Sequence, residues 1–239
     1  GYLNLNNMQF FIFVLVICLV LFLYRIYHLA NDDYVLIKKN ITLEDIFNAV
    51  FVCSLVSLLF SRLFYVLMNP DPVFINPLGF LLFPYFPGLS ITGAILGGAL
   101  VLFFFCRKKK IPRARVFDFF SMAFIFVLPF GFLGYFLLSQ DFTTGTIVKF
   151  VLYTLILIAS NIYLYPKASS LEIKDGTISA LFLVFFSLIS LLSSAIDNPG
   201  TNYFITHKEN FILLAILFVS IGIIIKQELT GRISLKNGK

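Results

Sequence analysis

The chain has 239 residues, 59% of them hydrophobic and only 13% charged, and a formal charge of +6. An ordinary soluble domain is about 45–50% apolar and about 25% charged, so this composition leaves too little polar surface for a water-soluble fold and too much apolar surface for a disordered one. Its three cysteines are too few for a disulfide scaffold and match no zinc spacing.

A helix that crosses a bilayer takes about 20 mostly apolar residues. Seven such stretches follow one another, roughly at 8–28, 44–68, 88–106, 117–138, 146–165, 177–196 and 208–226. The expected fold is all-α: one polytopic membrane domain over residues 1–239, a bundle of seven transmembrane helices. Only helices and closed barrels satisfy every backbone group in lipid. A barrel is excluded because runs such as Phe10 to Leu23 do not alternate apolar and polar residues.

The first stretch has no basic residue before it and is too long for the apolar region of a cleaved signal, so it reads as a true span. Thr42 is placed to cap the second helix, with Asp45 three residues on, and Asn69-Pro70-Asp71-Pro72 stops that helix. Pro72, Pro77, Pro84 and Pro87 then fill a loop that reads as extended or re-entrant. In the third stretch Gly93 and Gly97 form a G-x-x-x-G pair that permits close approach of another helix or of a lipid headgroup. Asp118 stands at the expected start of the fourth helix, where the dipole favours an anion. Pro129, Gly131 and Gly134 weaken that helix further on. Asp197-Asn198-Pro199-Gly200 ends the sixth.

With seven spans, fifteen of the 18 basic residues fall on one side, six of them at Arg107, Lys108, Lys109, Lys110, Arg113 and Arg115. Basic loops stay cytoplasmic. The expected orientation therefore has the N-terminus outside and the C-terminus cytoplasmic. The cluster reads as an orientation signal in contact with anionic lipid, and nucleic acid is not expected as a partner, since no aromatic reader accompanies the charge.

Charges inside the bilayer are few. Arg62, about eighteen residues into the second span, stands out because an intramembrane cation is a functional candidate. Its planar fork suits a phosphate, with Tyr65 one turn later on nearly the same face. The alternative is that Arg62 reaches along its stem to the outer interface beside Tyr65. His28 and His207 lie at membrane edges, and the sequence sets no acidic or thiol residue at a telling spacing from either. Cys18, Cys53 and Cys106 behave as small apolar residues, with Cys106 next to the basic cluster a weak candidate for acylation. No carboxylate pair lies within a span, and neither a metal nor a cofactor is expected.

Several blocks, in order, resemble the prolipoprotein diacylglyceryl transferases. Ser61-Arg62-Leu63-Phe64-Tyr65-Val66-Leu67 is similar to the family's G-x-R-x-x-Y-V-L, and Ser90 to Gly98 to its S-x-H-G-G-L-I-G-G. Phe117-Asp118 follows the basic loop, Pro129 to Phe136 resembles the stretch holding G-R-x-G-N-F, and Asp175-Gly176 precedes the sixth span. The resemblance covers most of the chain. It implies a multi-pass protein of the bacterial plasma (inner) membrane that moves diacylglyceryl from phosphatidylglycerol to the lipobox cysteine of preprolipoproteins. Its implied partners are phosphatidylglycerol or another anionic phospholipid and preprolipoprotein signal peptides. Arg62, Tyr65, Gly93, Gly97, Gly131 and Gly134 are the implied lipid-binding set, and Asp118 is also retained.

The same resemblance shows where the chain departs. The family histidine falls on Thr92, the arginine and asparagine of G-R-x-G-N on Phe132 and Tyr135, and the sixth-span arginine and the glutamate after it near Ser190 and Ser194. The family's N-G-E region reads Leu138-Ser139-Gln140, and its first-span tyrosine aligns near Met8. A leaving phosphate in a low-dielectric site needs cations or donors, and a thiol needs a base or a positive field. The residues therefore predict weak transfer or none, unless Tyr135, Gln140 or Asp141 has taken over. The alternative is a non-catalytic phospholipid-binding protein on the same fold. An ion-coupled transporter is disfavoured by the lack of carboxylate pairs in the spans.

Overall fold

The computed structural model describes residues 5–76, 80, 88–139, 142–200, 202 and 207–236, with only the backbone of residues 5–8, 73, 75, 138–139 and 228–236. Within it the chain forms α1 (Leu5–Ala30), α2 (Tyr34–Lys38), α3 (Leu43–Met68), α4 (Ile91–Lys109), α5 (Arg113–Ser139), α6 (Thr144–Ala159), α7 (Tyr165–Ser169), α8 (Thr177–Asp197) and α9 (Lys208–Lys236). There is no strand among the described residues. A π-helical turn at Ser160–Leu164 joins α6 to α7, just before Pro166, whose missing N–H cannot serve the regular ladder. Seven helical stretches are long and apolar enough to cross a membrane: Gln9–Ala30, Leu43–Met68, Ile91–Lys109, Arg113–Leu137, Thr144–Ser169, Thr177–Asp197 and Lys208–Gln227. They lie on the seven expected spans, and the chain is a polytopic helical membrane protein.

The caps follow the sequence. Thr42 Oγ1 accepts from the Asp45 N–H at 3.2 Å and donates to the Asp45 carboxylate at 3.0 Å. Asn69 and Asn198 end α3 and α8. Two details differ. The fourth membrane helix starts at Arg113, so Asp118 lies in its second turn and not at its start. The same helix runs unbroken through Pro129, because in lipid a break would expose several backbone groups where proline removes one donor. Of the proline loop, a 3₁₀ turn covers Pro72–Ile75; Pro77, Pro84 and Pro87 lie outside the described residues.

The chain gathers into two compact units, one of residues 1–116 and 133–140, the other of 117–132 and 141–239. In the first, α3 and α4 lie side by side. Their approach is set by Gly93 and Gly97, where an added Cβ would run into the Cβ atoms of Phe64 and Phe60. Gly134 leaves room in the same way for Val14 of α1. Asp33, the N-cap of α2, pairs with Arg115 through Nε at 3.1 Å and Nη2 at 2.5 Å, both residues buried. One member of the basic cluster is thus an internal tie and does not face lipid. In the second unit α8 packs against both α6 and α9.

Candidate functional site

In the first unit the chemistry gathers where α3 ends and α4 begins. Ser61 Oγ donates to the Ser90 carbonyl at 2.8 Å, and the Ser90 N–H donates back to the Ser61 carbonyl at 3.2 Å. Ser90 Oγ in turn accepts from the Gly93 N–H at 3.2 Å, capping α4. Arg62, next in the chain after Ser61, is only 2% exposed. Its Nε donates to the Phe80 carbonyl at 3.0 Å and its Nη1 to the Gly88 carbonyl at 2.9 Å. The guanidinium also lies 4.8 Å from the Phe74 ring centroid and 5.9 Å from that of Tyr65, an arrangement favoured by the ring quadrupole. Gly88 has φ +148°, and any Cβ there would strike the Tyr65 ring. Thr92, at the family histidine position, is buried in the first turn of α4. The result is a buried cation between aromatic faces and backbone carbonyls, beside a helix N-terminus.

In the second unit a different set comes together. Tyr153 of α6 is 2% exposed. Its ring stacks on Phe132 of α5 with centroids 5.7 Å apart and planes 13° apart, and its hydroxyl shares a hydrogen bond with Ser190 of α8. Two positions at which the resemblance places arginines are thus joined by a tyrosine that the sequence did not single out. A mid-span aromatic with a polar tip was the available signal, but every span here is rich in aromatics.

The pairing of α5 with α8 keeps one register. Asp118 accepts from the backbone N–H groups of Gly176 at 2.7 Å and Ser179 at 2.8 Å. Gly176, in the left-handed region at φ 94°, has no side chain to cap α8, and Asp118 supplies the carboxylate. Six residues further along each helix, Phe124 meets Phe182 edge-on at 5.7 Å. Eight further again stand Phe132 and Ser190, about 21 Å from the cap by helical rise. Asp118 therefore does meet a helix dipole as the sequence suggests, but that of α8.

One turn from Tyr153 on α6 lies Lys149, half-buried within a membrane helix. The carboxylates of Glu209, in the first turn of α9, and of Asp197, at the end of α8, act electrostatically on its ammonium. Asp197 is itself held at the start of α6, accepting from the Gly145 N–H at 2.7 Å and the Thr143 hydroxyl at 3.3 Å. Gly145 is required there, since an added Cβ would run into the Asp197 carboxylate and Ser193 Oγ. The sequence marks Lys149 only as a basic residue at a span end; the fold gives it two acidic neighbours from other helices.

The remaining expected residues are placed as follows. Gly131 has nothing within 4 Å of a would-be Cβ. Tyr135 is 46% exposed, with its ring tilted against Phe136. Cys53 and Cys106 are buried, and His28 is exposed, 3.2 Å from the Tyr24 hydroxyl. Gln140 and Asp141 lie outside the described residues, as do the side chains of Met8, Leu138 and Ser139.

The family model described as prolipoprotein diacylglyceryl transferase matches residues 3–226. The chain is 24% identical over 237 residues to a phosphatidylglycerol–prolipoprotein diacylglyceryl transferase of Streptococcus sanguinis (strain SK36), which takes in 88% of this chain and 89% of that protein. It is 28% identical over 152 residues to the protein of the same description from Clostridium tetani (strain Massachusetts / E88), over 63% of this chain and 60% of that one.

Proposed function

We propose, for a chain that belongs to the prolipoprotein diacylglyceryl transferase family, that it takes up an anionic phospholipid of the phosphatidylglycerol type and moves its diacylglyceryl group to the lipobox cysteine of preprolipoproteins. The rate lies well below that of a member with the full set of motif cations. The protein resides in the bacterial plasma (inner) membrane with seven spans. The N-terminus faces outward, on the strength of the basic bias; a cysteine placed at Lys109 then resists an impermeant label in sealed cells, and ready labelling reverses the orientation.

The observation that supports lipid recognition is the burial of Arg62 in a membrane helix, its guanidinium flanked by Phe74 and Tyr65. A buried arginine fork is suited to a phosphate, which would take the place of a carbonyl partner. Tyr65 and the N-terminal turn of α4 at Gly93 complete that position, while Gly97 and Gly134 admit neighbouring helices and Gly131 stays open. Arg62→Ala lowers the co-purified anionic phospholipid seen by native mass spectrometry, whereas Arg107→Ala, at an exposed position, leaves it unchanged. Equal loss in both variants removes this reading. Transfer itself is read from phosphatidylglycerol to a lipobox peptide in vesicles.

A second reading, lipid binding without transfer, is favoured by the stacked Phe132 and Tyr153 and the Ser190 hydroxyl, which stand where the resemblance calls for cations. Lipid binding with no detectable transfer selects it.

A further inference from the structure

The basic loop between α4 and α5 and the short helix α2 come together within the first unit. Arg115 pairs inward with Asp33, the N-cap of α2. Lys109 pairs with Asp45, in the first turn of α3, at 3.6 Å. These two ties bring Lys38 and Lys39 to the same end of α3 as Arg107, Lys108 and Lys110, all of them exposed. We propose that this end is an interfacial surface that gathers anionic phospholipid from the leaflet around it, with α2 lying at headgroup level as its apolar foot. It is separate from the position at Arg62, seventeen residues beyond Asp45 on α3 and about 25 Å away by helical rise. The leaflet is the cytoplasmic one in the orientation proposed above, and the surface does not depend on that orientation.

The build of α2 selects a membrane surface over a soluble polyanion. Leu36 is buried, and its N–H donates to the Asp33 carboxylate at 3.0 Å, which turns the opposite face outward. That face carries Tyr34, 64% exposed, Ile37, 58% exposed, and Lys38, spaced so that they are neighbours on one side of the helix. The Lys38 ammonium lies 5.9 Å from the Tyr34 ring centroid, so cation and ring meet the same surroundings. An aromatic ring, an aliphatic chain and a lysine on one face suit a helix that rests between headgroups and acyl chains. Tyr24 and Tyr27, exposed near the end of α1, add to the aromatic residues at this end. A nucleic acid or an acidic peptide would meet the lysines and leave Tyr34 and Ile37 in water. Anionic lipid satisfies both.

The charge balance points the same way. The carboxylates of these loops and helix starts are Asp32, Asp33, Glu44 and Asp45. Asp33 is matched by Arg115 and Asp45 by Lys109, while Asp32 accepts from the Asn31 side chain at 3.2 Å. Lys38, Lys39, Arg107, Lys108 and Lys110 form a surplus over Asp32 and Glu44. Arg113, exposed and 5.0 Å from the Phe103 ring centroid, adds to it. One cation close to an anionic surface favours it about fivefold, the factor that corresponds to about 1 kcal/mol. That is too little to carry a lipid through detergent, so Arg107→Ala leaves the co-purified lipid unchanged. Several such cations together enrich phosphatidylglycerol around this end of the protein in a bilayer.

The chain has no tryptophan, so Ile37→Trp places a single fluorescent reporter on α2. The full chain carrying it is reconstituted in nanodiscs of phosphatidylcholine and phosphatidylglycerol, with one lipid or the other brominated on its acyl chains near the headgroup. Both brominated lipids quench the reporter, and at equal mole fraction phosphatidylglycerol quenches as a lipid enriched about fivefold or more. The preference disappears at about 1 M salt, where the screening length falls to about 3 Å, while quenching persists. Lys38→Gln, Lys39→Gln, Lys108→Gln and Lys110→Gln together abolish the preference and leave thermal unfolding unchanged. Lys208→Gln, an exposed change in the second unit, and Arg62→Ala both leave the preference intact. A reporter quenched by neither lipid puts α2 in water and overturns the inference. So does equal quenching by the two lipids at low salt. Quenching lost on addition of poly-glutamate or duplex DNA assigns the surface to a soluble polyanion and overturns it too. Loss of the preference in Arg62→Ala overturns the claim of a surface separate from the Arg62 position.

Discussion

The surroundings of Arg62 and those of Tyr153 treat polar groups in a membrane in opposite ways. Arg62 is served by its own stretch of chain: Phe80 and Gly88 lie within 26 residues of it, and Phe74 and Tyr65 nearer still. Tyr153 is served from afar, by Phe132 on α5 and Ser190 on α8. The first region is therefore a local device, a cation met by residues that follow it closely in the chain. The second exists only once three helices have docked. A local device tolerates changes elsewhere in the chain, whereas a docked one fails whenever the register of any contributing helix fails.

Tyr153→Ala gives the largest expected effect. Truncating a buried aromatic costs about 3–5 kcal/mol in a packed interior, and in lipid the low end applies because packing is lost without a transfer from water. Thermal unfolding in detergent measures it. Tyr153→Phe, which removes only the bond to Ser190, costs about 1 kcal/mol. If the two variants lose equally, the hydrogen bond and not the ring stack holds the region together.

Arg62→Ala comes next, at about 2 kcal/mol, since the Phe80 and Gly88 carbonyls lose their guanidinium donors and an unsatisfied buried acceptor costs about 1–3 kcal/mol. The damage stays local: a disulfide engineered between positions 124 and 182 forms as readily as in the parent. Reduced cross-linking there would show that the first region is not self-contained.

Asp118→Ala reverses that pattern. Losing the acceptor for Gly176 and Ser179 costs about 1–2 kcal/mol, as for a lost N-cap, and it frees α8 to slide against α5. The 124–182 disulfide then forms more slowly, while Asp118→Asn, able to keep one acceptor, lies between. Unchanged cross-linking would mean that Phe124 and Phe182 set the register by themselves. The smallest effect belongs to Thr42→Ala at the start of α3, about 1 kcal/mol, with no change in lipid content.

The seven spans were legible in the sequence because lipid demands about 20 apolar residues per crossing and a helix satisfies its own backbone whatever surrounds it. Caps at Thr42, Asn69 and Asn198 were legible for the same reason: they act within a turn of their own position. Arg62 could be singled out as a charge well inside a span, though not the carbonyls that receive it. The docking of helices was not legible, because in lipid any apolar face can meet any other and periodicity does not choose the partner. So Asp118 caps a helix 58 residues away, Arg115 turns inward to Asp33, and Lys149 comes under the electrostatic influence of Glu209 and Asp197. Each depends on backbone positions that only packing fixes, such as the glycine at 145 that admits the Asp197 carboxylate. Composition determined that this chain lives in a membrane and how many times it crosses; tertiary structure decided which of its few polar groups meet, because in a low-dielectric interior a polar group is stable only where the fold brings it a partner.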